Sequence, residues 1–568
     1  MKKGLFAAFL VALLASCGDS DKPAGSGGAA GSGGAAFDGP VVTATFAASE
    51  KAPLAGTLAV TVDRPSRLEI EITDGGAHAL SLKTTASAAM HSVPVRQLRP
   101  GRSYELRITA IDATEKASAP ASVVYATPAL PADFPPLLVK ASDATRDGLT
   151  LFAVGRWGAG LPDDTWAYIV ALDAAGEVVW YLQTSSNVNH LGLTSSGDVR
   201  FGAGDFMMLE LSTLGAPLRG WLAAAKLPKS STIPNAITAV PIDSMHHDAV
   251  LLPNGHFLAL STEMRTISQA KCPTTYDTDW NVVGDVVVEF DPASGAVVKK
   301  TSMFELIDPC RRADQAFRTN FWSSTYGGVT ADWTHGNSVV YDPTRNAVLV
   351  SLRHQDWVVA YRYADDAGGK AGSLLFRLGP DGDFALDGKD AVWNYQQHAA
   401  SVLSNGNVLM YDNGGTRPNT LVTNKVKYPF SRAVEFALDT SGPKGTWKAT
   451  QVWEYGTKDV RLVDASIDPP AELRWFSLAI GNAYLTPTNT VLGVHGALTD
   501  PPTGLLFNGS VKKLARVYEV THDDASKVVL DVRIHDETGE GSYGVYRAMR
   551  VPSLYPASSG VVATVTRR

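Results

Sequence analysis

The sequence contains little cysteine, few charged residues and no cluster of basic side chains. It has 3 cysteines in 568 residues, none with a Cys or His neighbour at zinc-finger spacing, which argues against a finger-type metal site. Charged residues make up 19% and the formal net charge is -7, so nucleic acid is not an expected partner. Glycine and proline are frequent, at 51 and 32 residues, and no long helical pattern is evident. This composition favours an all-β protein with many turns.

The N-terminus carries an apolar run, from Leu5 to Leu14, between a basic start and Cys17. This layout is typical of a secretory signal, and the run is too short for a stable membrane span. The residues before Cys17 resemble the bacterial lipobox, so we expect residues 1–17 to be a lipoprotein signal peptide with lipidation at Cys17. An ordinary signal peptide with an incidental cysteine is the alternative. Residues 18–36 are Gly/Ala/Ser-rich and predict a flexible tether.

This N-terminus predicts an exported protein. The lipid would anchor it to the outer membrane, an expectation supported by Gly18 after the lipidated position. The sequence leaves open whether the protein lies on the periplasmic or the cell-surface side.

Residues 37–128 alternate apolar and polar side chains, as in Arg67-Leu-Glu-Ile-Glu-Ile72. Strict alternation is typical of half-buried strands, and the segment from Leu98 to Tyr104 resembles the corner of a fibronectin type III domain. We therefore predict a small fibronectin III-like β-sandwich here. A proline-rich linker follows it.

Three histidines open similar segments in the remaining residues, 129–568. His247 and His398 are each followed at the same distance by an Asn-Gly turn, and His335 by a slightly longer turn. Each segment predicts a β-hairpin, and repeats of roughly 40–50 residues made of short strands predict propeller blades. We count six blades, with five or seven as alternatives. Equivalent positions on innermost strands converge on the axis, so the three imidazoles should meet in the central channel.

Further polar residues join this group by their place in the repeats. Arg353 lies near the end of the second strand of the middle hairpin, and alignment of 347–353 with 489–495 gives His495 as its counterpart. Asn337 follows His335 closely. A channel mouth with several imidazoles, one guanidinium and few acids selects an oxyanion such as sulfate or phosphate.

Cys272 and Cys310 lie in the long insertion after the first histidine segment. In an oxidising compartment two cysteines most simply form one disulfide, here a staple on a loop at the channel mouth. Two unpaired buried thiols are the alternative.

Several blocks, in order, resemble the bacterial arylsulfate sulfotransferases: His246-His-Asp with Leu-Pro-Asn-Gly255, Trp333-Thr-His-Gly-Asn-Ser338, Ser351-Leu-Arg-His-Gln355, Gln397-His398 with Asn405-Gly-Asn407, and Asp412-Asn-Gly414. The resemblance covers the propeller and, loosely, the sandwich. It implies an exported six-bladed propeller that transfers a sulfuryl group from a phenolic sulfate ester to an acceptor phenol. The reaction would follow a ping-pong course through a sulfohistidine, without 3′-phosphoadenylyl sulfate (PAPS) and without a cofactor.

Carried over by motif, His398 corresponds to the sulfated histidine. His247, His335 and Arg353 correspond to sulfate-binding and acid/base residues, with His335 favoured over His247 as the acid/base, and Asn337 to a supporting polar group. The other candidate substrate-binding residues are His495, Trp333 and Tyr546. The separation of the two cysteines and the lipid anchor depart from the family pattern, and a homodimer is an open option.

Two other functions remain open at this point. The three histidines could bind a metal ion for hydrolase or lyase chemistry, although a guanidinium beside a cation is unfavourable. A non-catalytic surface lipoprotein that binds a ligand is the second alternative, because propellers host many functions.

Overall fold

The computed structural model describes residues 38–567 apart from 77, 144, 157–165, 229, 312–317, 418–429, 457–474, 478, 500–512 and 538–540. The predicted signal peptide with Cys17 and the tether 18–36 lie outside the described residues. Strands dominate the described chain, which confirms the all-β prediction. Among the described residues, no helix is long and apolar enough to cross a membrane.

The N-terminal domain is the predicted β-sandwich. Its strands are β1 (Val42–Ala48), β2 (Gly56–Thr73), β3 (His78–Thr84), β4 (Ala88–Val95), β5 (Ser103–Asp112) and β6 (Ala121–Ala126). The 18-residue β2 pairs with β1 and β4 along its first half and with β3 and β5 along its second half. Side chains along β5 alternate between exposed and buried, and the buried ones form one core.

The remaining strands, in chain order, are β7 (Leu137–Ser142), β8 (Leu149–Arg156), β9 (Ala167–Leu172), β10 (Val178–Thr184), β11 (Val188–Leu193), β12 (Val199–Ala203), β13 (Met207–Leu211), β14 (Pro217–Ala223), β15 (Ile237–Val240), β16 (His246–Leu251), β17 (Phe257–Ile267), β18 (Trp280–Phe290), β19 (Val297–Ser302), β20 (Arg318–Thr319), β21 (Thr330–Asp332), β22 (Gly336–Asp342), β23 (Ala347–Leu352), β24 (Trp357–Arg362), β25 (Leu374–Leu378), β26 (Ala385–Asp387), β27 (His398–Val402), β28 (Val408–Asp412), β29 (Arg432–Asp439), β30 (Lys448–Tyr455), β31 (Gly481–Leu485), β32 (Thr490–Thr499), β33 (Lys513–Thr521), β34 (Val528–Ile534), β35 (Tyr543–Val551) and β36 (Val561–Arg567). The described helices are α1 (Met303–Leu306) and α2 (Ser323–Tyr326), with 3-10 turns at Arg353–Gln355 and Ala557–Ser559.

Strands β7–β35 form six small sheets arranged as a six-bladed propeller, which confirms the predicted blade count. In chain order, the blades contain β8–β10, β11–β15, β16–β21, β22–β25, β26–β30 and β31–β34. The ring is closed twice, because β35 pairs with β8 in the first blade and β7 pairs with β34 in the sixth. The innermost strands β35, β11, β16, β22, β27 and β31 contact one another in that cyclic order and surround the channel.

The hydrophobic cores of the propeller lie between neighbouring blades. Each of six clusters of buried side chains draws on two adjacent sheets, and together they complete the circle. Fully burying one large apolar side chain stabilises a fold by about 1.5–3 kcal/mol. The blades therefore hold one another in place, and the inner strands keep a fixed geometry around the axis.

The last strand, β36, lies in the sandwich rather than in the propeller. It pairs antiparallel with β3 along Val561–Arg567, although the sequence division assigned all of 129–568 to the propeller. Pairing with β36 covers an edge of β3 that would otherwise expose unpaired backbone groups. The C-terminal end of the described chain thus ties the two domains together.

The structure contains the predicted disulfide between Cys272 and Cys310. It joins the loop between β17 and β18 to the segment after α1. Arg311, the next residue, donates to both the backbone and the side-chain oxygen of Gln355. The disulfide therefore supports the turn that carries Arg353.

Candidate active site

Three inner strands depart from regular pairing at their histidines. The register shifts between His246 and Ala249 on β16, between Gly336 and Ser338 on β22, and between His398 and Ser401 on β27. His247 and His335 have positive φ angles of 55° and 48°, which non-glycine residues seldom adopt. Bulges and strained backbones of this kind redirect side chains at functional sites.

The three predicted histidines come together at the channel. The ring of His247 lies 5.0 Å from that of His335, between centroids. Tyr546, on the innermost strand β35, lies 5.8 Å from His247 and 6.2 Å from His398. His247 and His398 are buried, with 7% and 2% of their surface exposed. Four residues from three blades and the closing strand thus face one small space.

Asn413 fixes the tautomer of His398. Its side-chain nitrogen donates to the backbone oxygens of Ser477 and Ile480, so its oxygen faces His398 Nδ1 at 2.6 Å. The proton therefore lies on Nδ1 and the lone pair of the neutral imidazole on Nε2. Burial, followed by the charge of Arg353, holds the pKa of His398 well below its usual value. His398 is a neutral imidazole with a nucleophilic Nε2.

Asp332 orients His335. Its carboxylate lies 2.6 Å from His335 Nδ1 and accepts from the indole nitrogen of Trp322 at 2.9 Å. Burial alone would raise the pKa of Asp332, but the electrostatic influence of His335 and His354 lowers it. The carboxylate is therefore ionised and His335 Nδ1 keeps its proton. This leaves Nε2 of His335 to exchange a proton, as in other carboxylate–histidine pairs.

His247 is backed by a second histidine instead of a carboxylate. Its Nδ1 lies 2.7 Å from Nδ1 of His246, whose Nε2 lies 3.3 Å from Asp285. Burial, followed by the electrostatic influence of His246, lowers the pKa of His247 well below its usual value. His247 is therefore a neutral hydrogen-bonding group.

Arg353 opens the 3-10 turn after β23. Its backbone nitrogen donates to the oxygen of His335 at 3.2 Å, and its guanidinium donates to the side-chain oxygen of Gln396 at 3.1 Å. Asn337 donates to the backbone oxygen of Gln397 at 2.7 Å. Asn337 thereby links β22 to the residue before His398.

Trp333 and His495, two predicted site residues, lie elsewhere. Trp333 is fully buried and stacks on Phe304 at 4.8 Å in the core between the third and fourth blades. His495 is on β32, the second strand of its blade, and stacks on Trp475 at 5.4 Å. It also meets the hydroxyl of Tyr411 at 2.7 Å. Second strands face neighbouring blades rather than the axis, which explains the position of His495.

The structure adds residues that sequence reasoning missed. Asp332 lies three residues before His335 and Asn413 lies in the Asp412-Asn-Gly414 block, so the sequence places both near the predicted histidines. Phe321 has no such signal; it is 42% exposed and its ring lies 4.9 Å from that of His335. Arg547, next to Tyr546, pairs with Asp248 at 2.8 Å and donates to the backbone oxygen of Asn337.

Several buried carboxylates surround the site, and three of them, Asp248, Asp285 and Asp332, accept hydrogen bonds. Asp248 accepts hydrogen bonds from Arg547 and from the backbone of Val339, and it contacts His190. Asp332 accepts from Trp322, and Asp285 accepts from Thr334 and Gly336. The side chains that face the shared space include imidazoles, a guanidinium and a phenol, and burial raises the pKa of the nearby Asp205 carboxyl. Such a set can bind a tetrahedral oxyanion and exchange a proton with it.

One metal-ligand geometry exists among the described residues. The ligand atoms of Asp332, His335 and His354 lie within 4.8 Å of one another. This differs from the three-imidazole site considered from the sequence, because His247 and His398 are not part of it. Burial, mainly, lowers the pKa of His354 to about 4, so this imidazole is neutral and able to act as a ligand.

Comparisons of the sequence with known proteins identify a family and one curated relative. Residues 137–547 match the model of the family described as Arylsulfotransferase (ASST). The chain is similar to "Arylsulfate sulfotransferase AssT" of Escherichia coli O6:H1, with 26% identity over 253 residues, covering 37% of this chain and 40% of the relative. The chain thus spans about two fifths of the length of the curated relative it matches.

Solved structures give weaker likenesses. A Bacteroides caccae protein of unknown function has 13% identity and a TM-score of 0.34, covering 70% of this chain and 99% of that one. A "putative 6-phosphogluconolactonase" from Bacteroides uniformis has 12% identity and a TM-score of 0.32, covering 86% and 100%. Scores this low carry no conclusion about fold or function. The family match covers most of the chain, and the protein belongs to the arylsulfotransferase family.

Proposed function

We propose that the protein is an arylsulfate sulfotransferase. It moves a sulfuryl group from a phenolic sulfate ester to an acceptor phenol through sulfo-His398, without PAPS or another cofactor. The observation that carries the proposal is His398, a buried neutral imidazole whose proton is fixed on Nδ1 by Asn413 and whose neighbours are His335, His247 and Arg353.

In the first half-reaction, the lone pair of His398 Nε2 attacks the sulfur of the donor. The bond between sulfur and the phenolic oxygen breaks, and its electron pair leaves with the oxygen. Protonated His335 gives its Nε2 proton to this oxygen, and the product is a phenol. The Nδ1 proton of sulfo-His398 stays bound to Asn413, which stabilises the positive charge on the imidazole.

The second half-reaction reverses the roles. Neutral His335 removes the proton of the acceptor phenol, whose oxygen attacks the sulfur. The bond between nitrogen and sulfur breaks, and the electron pair returns to Nε2 of His398. One histidine can serve both half-reactions because it gives a proton in the first and receives one in the second. Asp332 beside His335 supports this assignment over His247.

Arg353 and His247 stabilise the transferring group. Sulfuryl transfer resembles phosphoryl transfer, in which negative charge is spread over the non-bridging oxygens. A guanidinium can bind two of these oxygens, and a neutral imidazole can donate to the third. Removing a fixed donor of this kind typically costs about 3–4 kcal/mol of transition-state stabilisation.

We also propose that the protein works outside the cytoplasm, anchored to the outer membrane through Cys17. The lipobox-like start and the disulfide between Cys272 and Cys310, which suits an oxidising compartment, support this. Globomycin treatment of cells should cause an unprocessed precursor to accumulate, and Cys17→Ser should release the protein from membranes. A homodimer stays a prediction, which light scattering of the purified protein tests.

Steady-state kinetics test the transferase. With p-nitrophenyl sulfate as donor and phenol as acceptor, double-reciprocal plots should give parallel lines, and PAPS should not replace the donor. His398→Asn should remove turnover, whereas His256→Gln, at the turn between β16 and β17, should not. Turnover retained by His398→Asn, or intersecting lines, would contradict the mechanism. Ligand binding without any turnover in the wild type would favour the non-catalytic alternative.

The cluster of Asp332, His335 and His354 supports a second candidate, a metal-dependent hydrolase or lyase. A metal ion there would replace the protons that now lie between the imidazoles and Asp332. Elemental analysis separates the two functions. Stoichiometric zinc or manganese that survives dialysis against a chelator, with activity lost on its removal, would favour the metal-dependent enzyme.

A further inference from the structure

His246 and His247 share one proton. Their Nδ1 atoms lie 2.7 Å apart, which is hydrogen-bond distance. Two N–H groups at this distance would clash and two lone pairs would repel, so one nitrogen donates and the other accepts. The protonation of one ring therefore decides which nitrogen of the other carries hydrogen.

The far side of His246 faces a carboxylate. Asp285, on β18 of the same blade, has an oxygen 3.3 Å from Nε2 of His246. Its other oxygen accepts from the hydroxyl of Thr334 and from the backbone nitrogen of Gly336. His246 is 2% exposed, and its ring packs edge-on against Trp322 at 5.1 Å.

The charges around His246 favour its cation. Its titratable neighbours are Asp285, Asp205 on the turn between β12 and β13, and His247. Burial alone would lower the pKa of His246, but Asp285 and then Asp205 raise it above the usual value. Below this raised pKa, both nitrogens of His246 carry protons, one directed to Asp285 and one to His247.

We propose that Asp285 and His246 form a relay that sets the tautomer of His247 and thereby makes it a sulfuryl-oxygen donor. With His246 protonated, Nδ1 of His247 accepts, so Nε2 of His247 carries hydrogen towards the shared space. This inference rests on the proposed function for the identity of the bound group. His246 and Asp285 are positioning residues, since they act through His247.

Loss of one proton reverses the relay. Neutral His246 keeps the hydrogen that faces Asp285, and its Nδ1 becomes an acceptor. The hydrogen between the rings moves to Nδ1 of His247, and the proton released to solvent is the one that was on Nε2 of His247. A lone pair then faces the sulfuryl oxygens and repels them. Because the pKa of His246 is raised, binding of the donor should be strongest below this pKa and should decline as the pH rises through it.

Nitrogen NMR of protein labelled with ¹⁵N-histidine reports the tautomer directly, with His247→Gln used to assign the signal. We expect His247 to carry its proton on Nε2 at pH 6 and on Nδ1 at alkaline pH. In Asp285→Asn the change should occur about one pH unit lower, because a carboxylate that favours the cation is gone. Glu289→Gln, which alters the carboxylate beside His256, is the matched control and should leave the transition in place.

Enzyme kinetics provide the second readout. In the wild type, kcat/KM for p-nitrophenyl sulfate should fall about 100-fold across the alkaline transition, and Asp285→Asn should shift this limb by the same amount as the NMR signal. A proton that stays on Nδ1 of His247 at every pH would overturn the relay, even if Asp285→Asn fails to fold. A tautomer change without any sulfuryl transfer would keep the relay and reject the proposed function.

Discussion

His398 at the channel and His495 between the fifth and sixth blades form a natural pair for comparison. Both are fully buried, and burial, with a nearby arginine, lowers the pKa of both well below the usual value. The arginine is Arg353 for His398 and Arg516 for His495. Burial and a depressed pKa therefore do not identify a site by themselves. What differs is the strand, because β27 lines the axis and β32 faces a neighbouring blade.

The partners of the two rings differ as well. The tautomer of His398 is set by an amide, and its neighbours are polar groups from several blades. His495 is enclosed by aromatic rings, with Trp475 stacked on one face at 5.4 Å and Tyr518 at 4.8 Å. A ring that is covered on its faces packs a core, whereas a ring that faces a shared polar space can react.

Alanine at each of the two histidines should have the largest effects. We expect His398→Ala to reduce kcat/KM by about 10³-fold or more, because the nucleophile is lost, with little change in Tm. His495→Ala should leave kcat/KM within a few-fold and reduce the free energy of unfolding by about 2–4 kcal/mol through a cavity. Transfer assays and thermal unfolding of both variants measure this. Equal loss of activity in both variants would contradict the assignment of His398 to the site and of His495 to the core.

Substitution of the two arginines should separate activity from stability as the histidine substitutions do, with smaller effects. Arg353→Lys should lower kcat/KM by about 100-fold, because an ammonium cannot bind two sulfuryl oxygens in one plane. Arg516 pairs with Asp531 and lies over Trp475, so Arg516→Lys should cost stability and leave transfer within a few-fold. Transfer assays of the two variants test this. An unchanged kcat/KM in Arg353→Lys would show that Arg353 does not stabilise the transferring group.

Phe321 differs from the rings around His495, because it is an exposed ring beside His335 rather than a buried one. We expect it to pack against the aromatic ring of the substrate, worth about 1.4 kcal/mol. Phe321→Ala should therefore raise KM for p-nitrophenyl sulfate roughly tenfold with little change in kcat, and Phe321→Leu should fall between. An unchanged KM in Phe321→Ala would show that substrates do not contact this ring.

The smallest expected effect is on stability as a function of pH. Because the pKa of His495 is lower in the folded than in the unfolded state, its contribution is complete above about pH 6.5 and declines as pH falls. A single such group changes the free energy of unfolding by up to about 1.4 kcal/mol per pH unit. His495→Phe should flatten the decline of Tm between pH 6.5 and pH 5. An unaltered slope would mean that His495 titrates normally.

The sequence predicts the fold and the central group well because both follow from repetition. Short strands, Asn-Gly turns and recurring histidines identify blades, and symmetry brings His247, His335 and His398 to one axis. The same reasoning failed for His495, because aligning second strands does not say which face of a strand a side chain occupies. Trp333 failed for a related reason, since an aromatic residue beside a site residue usually packs a core.

Other features depend on contacts that a repeat pattern does not encode. The bulges on β16 and β27 differ, because His398 is the first paired residue of β27, whereas the first paired residue of β16 is His246 and not His247. The apparent equivalence of His247 and His398 therefore hides different backbones. Asn413 follows β28, the strand next to that of His398, Asp285 lies on β18, two strands from that of His246, and Phe321 lies on a loop. Their roles therefore emerge only in three dimensions.

Mass mapping in a single turnover shows whether His398 carries the sulfuryl group between donor and acceptor. The purified protein is mixed with excess p-nitrophenyl sulfate and no acceptor, then quenched in alkali and digested. We predict one equivalent of p-nitrophenol in the first turnover and a sulfuryl group on the peptide that contains His398, removed when phenol is added before quenching. Full transferase activity with the sulfuryl group on another residue, or on none, would contradict the account.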